Sequence, residues 1–239
     1  RIIEVREKDL QVTVQAGVVY KDLNKNLERY GLFFPPDPGA SATIGGMVAN
    51  NASGIRSVKY GSTRDLVLKL EVVTPTGVII KVGSNAVKSS SGYDLCKLFV
   101  GSEGTLGVIT EATLRVAGIM EGCIAVITTF DSVKEATEAV TQIMQAGLSP
   151  AALELMDTEV VKALNIDRDL NLEEKTTLFM EFHGTSNNML KDDLEFVRII
   201  CLDNNCSKFD SGIGREERNR MWEARHEARE SIKHLNPGR

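Results

Sequence analysis

The sequence predicts an α+β protein in two units, and three observations carry that reading. Between Leu10 and Val116, short runs alternate apolar and polar residues with the period of two that a half-buried strand requires, and glycines crowd the turns between them. From Cys123 onward, strand-like runs alternate with helical ones, the pattern of a two-layer sandwich of the ferredoxin-like kind. The grammar changes near Gly118, which gives units of residues 1–117 and 118–239.

In the first unit, Ile2-Ile3-Glu4-Val5 reads as strand, and Leu10, Val12, Val14 and Ala16 form a second. Tyr20, Leu23, Leu27 and Tyr30 recur at helical spacing, with Gly31 as the stop. Leu66, Leu68, Leu70 and Val72 resume the period of two. Thr74-Pro75-Thr76-Gly77 is a turn, because proline presets φ and glycine accepts positive φ, and Val78, Ile80 and Val82 return as the second hairpin arm. Val108 to Val116 is one more strand.

In the second unit, Cys123 to Phe130 is a strand, and Ser132 with Glu135 forms a capping box for a helix through Gln145, closed by Gly147. Leu153 to Met156 is a short strand, Thr158 to Leu164 a brief helix and Thr177 to Phe182 a strand. Ser186 caps a helix to about Leu202, Phe209 sits in a short strand, and Arg215 to Lys233 is a long, charge-rich helix.

Composition narrows the function. Among 239 residues, 42 % are hydrophobic, enough for a proper core, and the formal charge of −5 argues against a nucleic-acid partner, whose footprint is a basic face. No apolar run approaches the ~20 residues needed to cross a bilayer. Cys96, Cys123, Cys201 and Cys206 lack metal-finger spacing and read as reduced thiols. His183, His226 and His234 are too scattered along the chain for a metal site, so no metal ligand is expected here. The chain opens in mid-strand and stops just after a helical pattern, which is what a piece of a longer protein looks like.

The chemistry concentrates in glycine-rich clusters. The first runs Pro36-Asp37-Pro38-Gly39-Ala40-Ser41-Ala42-Thr43-Ile44-Gly45-Gly46, and the last runs Gly101-Ser102-Glu103-Gly104-Thr105-Leu106-Gly107-Val108-Ile109. Between them lie Asn50-Asn51-Ala52-Ser53-Gly54 and Tyr60-Gly61. Glycine lets backbone approach a ligand closely, so several such loops in one unit point to a flat, phosphate-bearing cofactor held by main-chain N–H groups. Gly45 and Gly46 offer two adjacent amides for a pyrophosphate or ring edge; tight turns between strands are the alternative for any one cluster. There is no Gly-x-Gly-x-x-Gly, no Gly-Lys pair and no Gly-x-Ser-x-Gly, which argues against a Rossmann turn, a P-loop and a hydrolase elbow.

These clusters, with Lys88-Ser89-Ser90-Ser91-Gly92-Tyr93-Asp94-Leu95 and Leu98 to Gly107, closely resemble the FAD-linked oxidases of the vanillyl-alcohol-oxidase type. The branch resembled is that of D-lactate dehydrogenase and the glycolate oxidase large subunit, and the likeness continues through Leu178 to Gly184 and Arg218 to His226. The resemblance implies that residues 1–117 are the second half of a PCMH-type FAD-binding domain. Residues 118–239 would then be an incomplete, ferredoxin-like substrate domain.

It further implies FAD held without a covalent bond. Pro38, Gly39, Ser41, Thr43, Ile44, Gly45 and Gly46 would line the pyrophosphate and flavin region. Asn50, Ser53, Gly54, Tyr60 and Gly61 would continue that wall, and Glu103, Gly104, Gly107, Val108 and Ile109 would contact the nucleotide side. Tyr93 and Leu95 are expected to pack beneath the loop. By composition Arg225 belongs to a solvated helix face, but the match to the family's Trp-x-x-Arg segment makes it the clamp on a substrate carboxylate, which a guanidinium fork suits. Trp222 would shape that pocket.

The implied reaction is oxidation of a small anionic D-2-hydroxy acid, D-lactate or glycolate, to the 2-oxo acid, with hydride passing from C2 to flavin N5. Electrons would go to a cytochrome, quinone or flavoprotein. The alternatives are D-2-hydroxyglutarate oxidation on the same fold and a non-catalytic subunit of an oxidase complex. The family's earlier phosphate loop and its later His-Gly-x-Gly-Asn-x-His segment, which binds a divalent metal in several members, do not occur in these residues. On that ground the isolated chain is expected to bind FAD poorly and to be inactive. Assembly with a second copy is allowed. The implied location is cytoplasmic or peripheral to the inner membrane in a bacterium, and mitochondrial in a eukaryote.

Overall fold

The computed structural model describes residues 1–39, 41–168 and 172–235, with the side chains at 168, 215, 220, 223–227 and 229–230 outside the description. The chain divides into two compact units, Arg1–Ile119 and Met120–Arg239.

The first unit is built on a five-stranded sheet. Strands β1 (Ile2–Arg6), β2 (Gln11–Gln15), β4 (Val67–Val73), β5 (Ile79–Gly83) and β6 (Val108–Arg115) lie in the order β1-β2-β6-β4-β5. Every neighbouring pair is antiparallel. Alternation decides the faces. Val12, Val14, Leu70, Val72, Ala112 and Leu114 point into a core shared with Leu23 and Leu27 of α1 (Tyr20–Leu27) and with Ile44, Met47 and Val48 of α2 (Ile44–Ala49). The opposite face carries Thr13 and Thr113, whose hydroxyls meet at 3.0 Å, and an ion pair of Glu71 with Lys81 at 3.2 Å, as a solvated sheet face should. A two-stranded ribbon of β3 (Leu32–Phe33) and β7 (Ala117–Gly118) completes the strands.

Three short helices also lie in this unit: α3 (Ser57–Tyr60), α4 (Thr63–Leu66) and α5 (Leu95–Phe99). With α2, they occupy stretches whose glycines and polar residues read as loop, and Leu66 ends α4 rather than opening β4. The tail of α1 tightens into a 3₁₀ turn over Glu28–Tyr30, and Gly31 ends it at φ 66°. Tyr93 does not pack beneath its loop. It is 94 % exposed, because α5 begins only at Leu95 and buries Cys96 and Phe99 instead.

The second unit centres on a four-stranded antiparallel sheet of β8 (Gly122–Phe130), β9 (Ala152–Met156), β10 (Thr176–Gly184) and β11 (Lys208–Ile213). Its order, β11-β8-β10-β9, is the 4-1-3-2 arrangement of a ferredoxin-like unit. Helices α6 (Val133–Gln145) and α8 (Met189–Asp203) cover one face, where Ala139, Ile143, Val197 and Cys201 meet Ile124, Leu178, Met180 and Phe182. Helix α6 opens with the expected box: Glu135 N–H donates to Ser132 Oγ at 3.2 Å and Ser132 N–H to Glu135 Oε2 at 3.1 Å. Helix α8 begins at Met189, three residues after Ser186, whose Oγ accepts from Met189 N–H at 3.4 Å.

Two layers were expected, but the second face is also covered. Helices α7 (Thr158–Arg168) and α9 (Arg215–Leu235) lie on that side, and Trp222 of α9 sits 6.0 Å from Phe179 of β10 between ring centroids. Strand β10 is therefore buried on both faces from Thr176 to Phe182, and its sequence Thr-Thr-Leu-Phe-Met-Glu-Phe lacks the alternation of a strand with one wet face.

Candidate cofactor surface and a buried charge cluster

In the first unit, backbone hydrogen bonds dock α2 against the end of β2. Ile44 N–H donates to Val18 O and Gly45 N–H to Ala16 O, both at 2.8 Å, while Thr43 caps the helix by accepting from Gly46 N–H at 3.2 Å. The other end of α2 receives the second glycine cluster. Gly101 N–H donates to Val48 O at 2.9 Å and Glu103 N–H to Ala49 O at 3.0 Å. Two segments far apart in sequence are thereby clamped to one short helix.

The result is a concave surface of about 410 Å³ lined by Ala16, Gly17, Thr43, Gly45, Gly46, Ala49, Gly104, Gly107, Val108 and Ile109. Seven of these were expected from sequence; Ala16, Gly17 and Ala49 were not, although the small Ala16-Gly17 pair at a strand end was the available signal. No lining residue is charged. The surface therefore recognises by shape, main chain and apolar contact.

The glycines divide by what a Cβ would meet. At Gly45 it would lie 2.7 Å from Ala16 Cβ, and at Gly107 2.7 Å from Val73 O, so both are needed for close packing within the chain. At Gly17 and Gly104 it would meet no protein atom within 4 Å and would project into open space. Among the described residues, neither the N–H of Gly17 nor that of Gly104 has an acceptor in the chain. Gly45 and Gly46 do not present free amides, because both N–H groups are spent inside the unit. The surface fits a flat group with a polar edge, with Gly17 and Gly104 as the open donors and exposed Val108 as an apolar wall.

The remaining expected residues stand apart from this surface. Ile44 is wholly buried in the core. Pro38, Gly39, Ser41 and Asn50 are in adjoining loops or caps, and Glu103 lends its backbone only to the clamp. Gly54 is pressed against Asp37, whose carbonyl oxygen would lie 1.7 Å from an added Cβ, and Ser53 precedes it as an exposed residue. Tyr60 packs edge-on to Phe33 at 5.6 Å, and Gly61, at φ 79°, terminates α3.

The second unit holds a buried charge cluster on the α9 side of its sheet. Strand register sets His183 opposite Cys123, with Glu181 on the same face of β10. His183 Nε2 donates to Glu181 Oε1, and Arg218 Nε donates to Glu181 Oε2 at 2.7 Å. Glu181 is 1 % exposed. Burial pushes its pKa upward, but the hydrogen bond from His183 and the charge of Arg218 outweigh it and hold the carboxyl down at about 2. The Arg218 guanidinium also lies 5.7 Å over the Trp222 ring, and Trp222 is packed in the interior at 1 % exposure. Arg225 falls in α9, and its side chain lies outside the description.

The first unit is thus an antiparallel sheet with a glycine-floored, uncharged surface, and the second is a ferredoxin-like unit. Residues 1–83 match the family described as "FAD binding domain", and residues 121–237 match "FAD linked oxidases, C-terminal domain". The chain belongs to the FAD-linked oxidases of the vanillyl-alcohol-oxidase type.

It is 42 % identical, over all of its length and 48 % of the relative's, to "Probable D-lactate dehydrogenase, mitochondrial" of Danio rerio. It is 40 % identical, over all of its length and 42 % of the relative's, to "D-lactate dehydrogenase [cytochrome], mitochondrial" of Arabidopsis thaliana. Against "Glycolate oxidase subunit GlcD" of Bacillus subtilis, identity is 35 % over 99 % of this chain and 51 % of that one. The chain thus spans about half the length of the curated relatives it matches. Among solved structures, an alkyldihydroxyacetonephosphate synthase shares the fold with a TM-score of 0.75 at 22 % identity, over 98 % of this chain and 45 % of that one.

Proposed function

We propose that the protein containing this chain oxidises a D-2-hydroxy acid, D-lactate first and glycolate second, with FAD bound non-covalently on the surface of the first unit. The carrying observation is that Thr43, Gly45 and Gly46 converge with Gly104, Gly107, Val108 and Ile109 on one uncharged surface. When bound, FAD supplies the acceptor for the hydride that leaves C2 of the substrate.

The chain's own residues hold and shape. Gly17 and Gly104 keep the floor open and offer N–H donors to an anionic or carbonyl edge, while Val108 and Ile109 exclude water along one side. Arg225 is proposed as the carboxylate clamp, through two parallel charge-assisted hydrogen bonds. Trp222, packed on Phe179, anchors the helix that carries Arg225. The names of the relatives favour a cytochrome as electron acceptor and a mitochondrial or bacterial setting. Among the described residues, no helix is long and apolar enough to cross a membrane.

The test is optical. The full-length protein is expected to purify yellow and to bleach anaerobically with D-lactate, more slowly with glycolate, and least with D-2-hydroxyglutarate. A colourless folded protein that takes up no FAD would overturn the proposal, and bleaching by D-2-hydroxyglutarate alone would reassign the substrate.

A further inference from the structure

Cys123, Glu181 and His183 looked unrelated along the chain, yet strand pairing gathers their donor atoms. A thiol sulfur, a carboxylate oxygen and an imidazole nitrogen all lie within 4.8 Å of one another, with Cys123 Sγ 3.9 Å from Glu181 Oε1. Tetrahedral zinc, with bonds of about 2.0–2.3 Å to N, O and S, needs its ligand atoms about 3.5 Å apart. Cys123 and Glu181 are within a few tenths of an ångström of that spacing, while the hydrogen-bonded Glu181–His183 pair has to open, and the Cys123–His183 pair to close, by about 1 Å, within reach of side-chain rotation.

The Glu181 carboxylate is also divided in the right way. Arg218 occupies Oε2 at 2.7 Å and turns Oε1 toward His183 and Cys123. The arginine therefore orients the carboxylate from behind rather than competing for the same oxygen, the part an outer partner plays around a metal. A proton now bridges Nε2 and Oε1; once it leaves Nε2, both atoms present a lone pair to a cation.

We propose that Cys123, Glu181 and His183 form a three-ligand site for a zinc-class divalent cation. The thiolate and imidazole select zinc, cobalt or cadmium over magnesium and calcium, which prefer all-oxygen shells. Binding releases the thiol proton to solvent and moves the ring proton of His183 to Nδ1. The His183 side chain is 12 % exposed, which leaves an edge where water completes the fourth position. None of these residues belongs to the histidine-rich segment that the family resemblance associates with a metal, and the site stands whether or not the flavin proposal does.

The experiment is a cobalt(II) titration of the full chain, reduced and stripped of metal. One equivalent should produce four-coordinate visible bands and a thiolate-to-cobalt charge-transfer band, both abolished by zinc. Cys206→Ser should keep the charge-transfer band and Cys123→Ser should lose it. His183→Gln, at the partly exposed edge, should weaken cobalt binding roughly tenfold or more while the protein melts cooperatively. A wild-type protein that gives no charge-transfer band overturns the site. So does a band that survives Cys123→Ser, or a cobalt affinity unchanged in His183→Gln.

Discussion

The N–H of Glu103 donates to the carbonyl of Ala49 at 3.0 Å, and Glu103 adopts a left-handed φ of 51° to do so. That one bond, with its neighbour from Gly101 to Val48, fastens the second glycine cluster onto the helix formed by the first. The side chain is exposed and lines no part of the candidate surface. Holding a non-glycine residue in this conformation costs about 1 kcal/mol. Glu103→Gly should therefore leave unfolding free energy within about 1 kcal/mol of wild type, because relief of strain offsets added chain entropy. Flavin affinity should stay within about twofold. A large loss of affinity in a flavin titration would show that the carboxylate itself touches the cofactor.

Gly17 and Gly54 look alike in sequence and differ in what they face. Gly17 lines the concavity and an added Cβ there meets nothing within 4 Å, so Gly17→Leu should fill the cofactor's space while leaving the fold alone. We expect FAD affinity to fall by about tenfold or more, equivalent to about 1.4 kcal/mol, with the apoprotein melting temperature unchanged. An unchanged flavin titration would remove Gly17 from the site.

At Gly54 the added carbon would lie 1.7 Å from the main-chain oxygen of Asp37, which cannot swing aside as a side chain does. Gly54→Ala should destabilise the first unit by about 3 kcal/mol through backbone displacement. Urea unfolding measures it, and a loss below about 0.5 kcal/mol would mean that the 36–39 loop moves freely.

The same contrast explains what the sequence could tell. The box of Ser132 and Glu135 and the Thr74–Gly77 turn were legible because each is set by neighbours in the chain. Helix α2 was not, since Gly45-Gly46 disfavours helix and the turn closes only when Ala16 and Val18 supply carbonyls from elsewhere. Gly17 was missed for a related reason: a single glycine carries no pattern until the surface around it is assembled. The juxtaposition of Cys123 and His183 depends on strand register, which spacing along the chain does not reveal. Likewise the second face of the sheet is covered by helices distant in sequence, and the strand–helix alternation does not reveal it.

Stability at alkaline pH should report the buried thiols. Burial chiefly, with the nearby Cys206 adding to it, pushes Cys201 up to about 12 from an ordinary 9.0. The unfolded chain then loses this proton first. The contribution of Cys201 is fully present below pH 9 and is lost as pH rises toward 12, with a slope of up to about 1.4 kcal/mol per pH unit. Cys201→Ala removes the titration, so the difference in unfolding free energy between wild type and variant should shrink steadily above pH 9. A difference independent of pH over that range would mean that the thiol is not withheld from solvent.

Glu181 and Arg218 form the pair on which the α9 side of the second unit depends. Removing Arg218 leaves a carboxylate that is 1 % exposed with, among the described residues, a neutral ring N–H of His183 and the distant Cys123 thiol as partners, so Arg218→Met should cost about 3 kcal/mol. Glu181→Gln leaves the guanidinium without its charge partner, but Arg218 is 15 % exposed at the side chain and can recruit water, so the loss should be smaller, about 2 kcal/mol. The double variant distinguishes an ion pair from two unrelated packing defects. If Arg218 acts through the carboxylate, the combined loss should fall short of the sum by at least about 1.5 kcal/mol, since the second change removes a partner already lost. Strict additivity in urea unfolding would show that each side chain is held by its surroundings and not by the other.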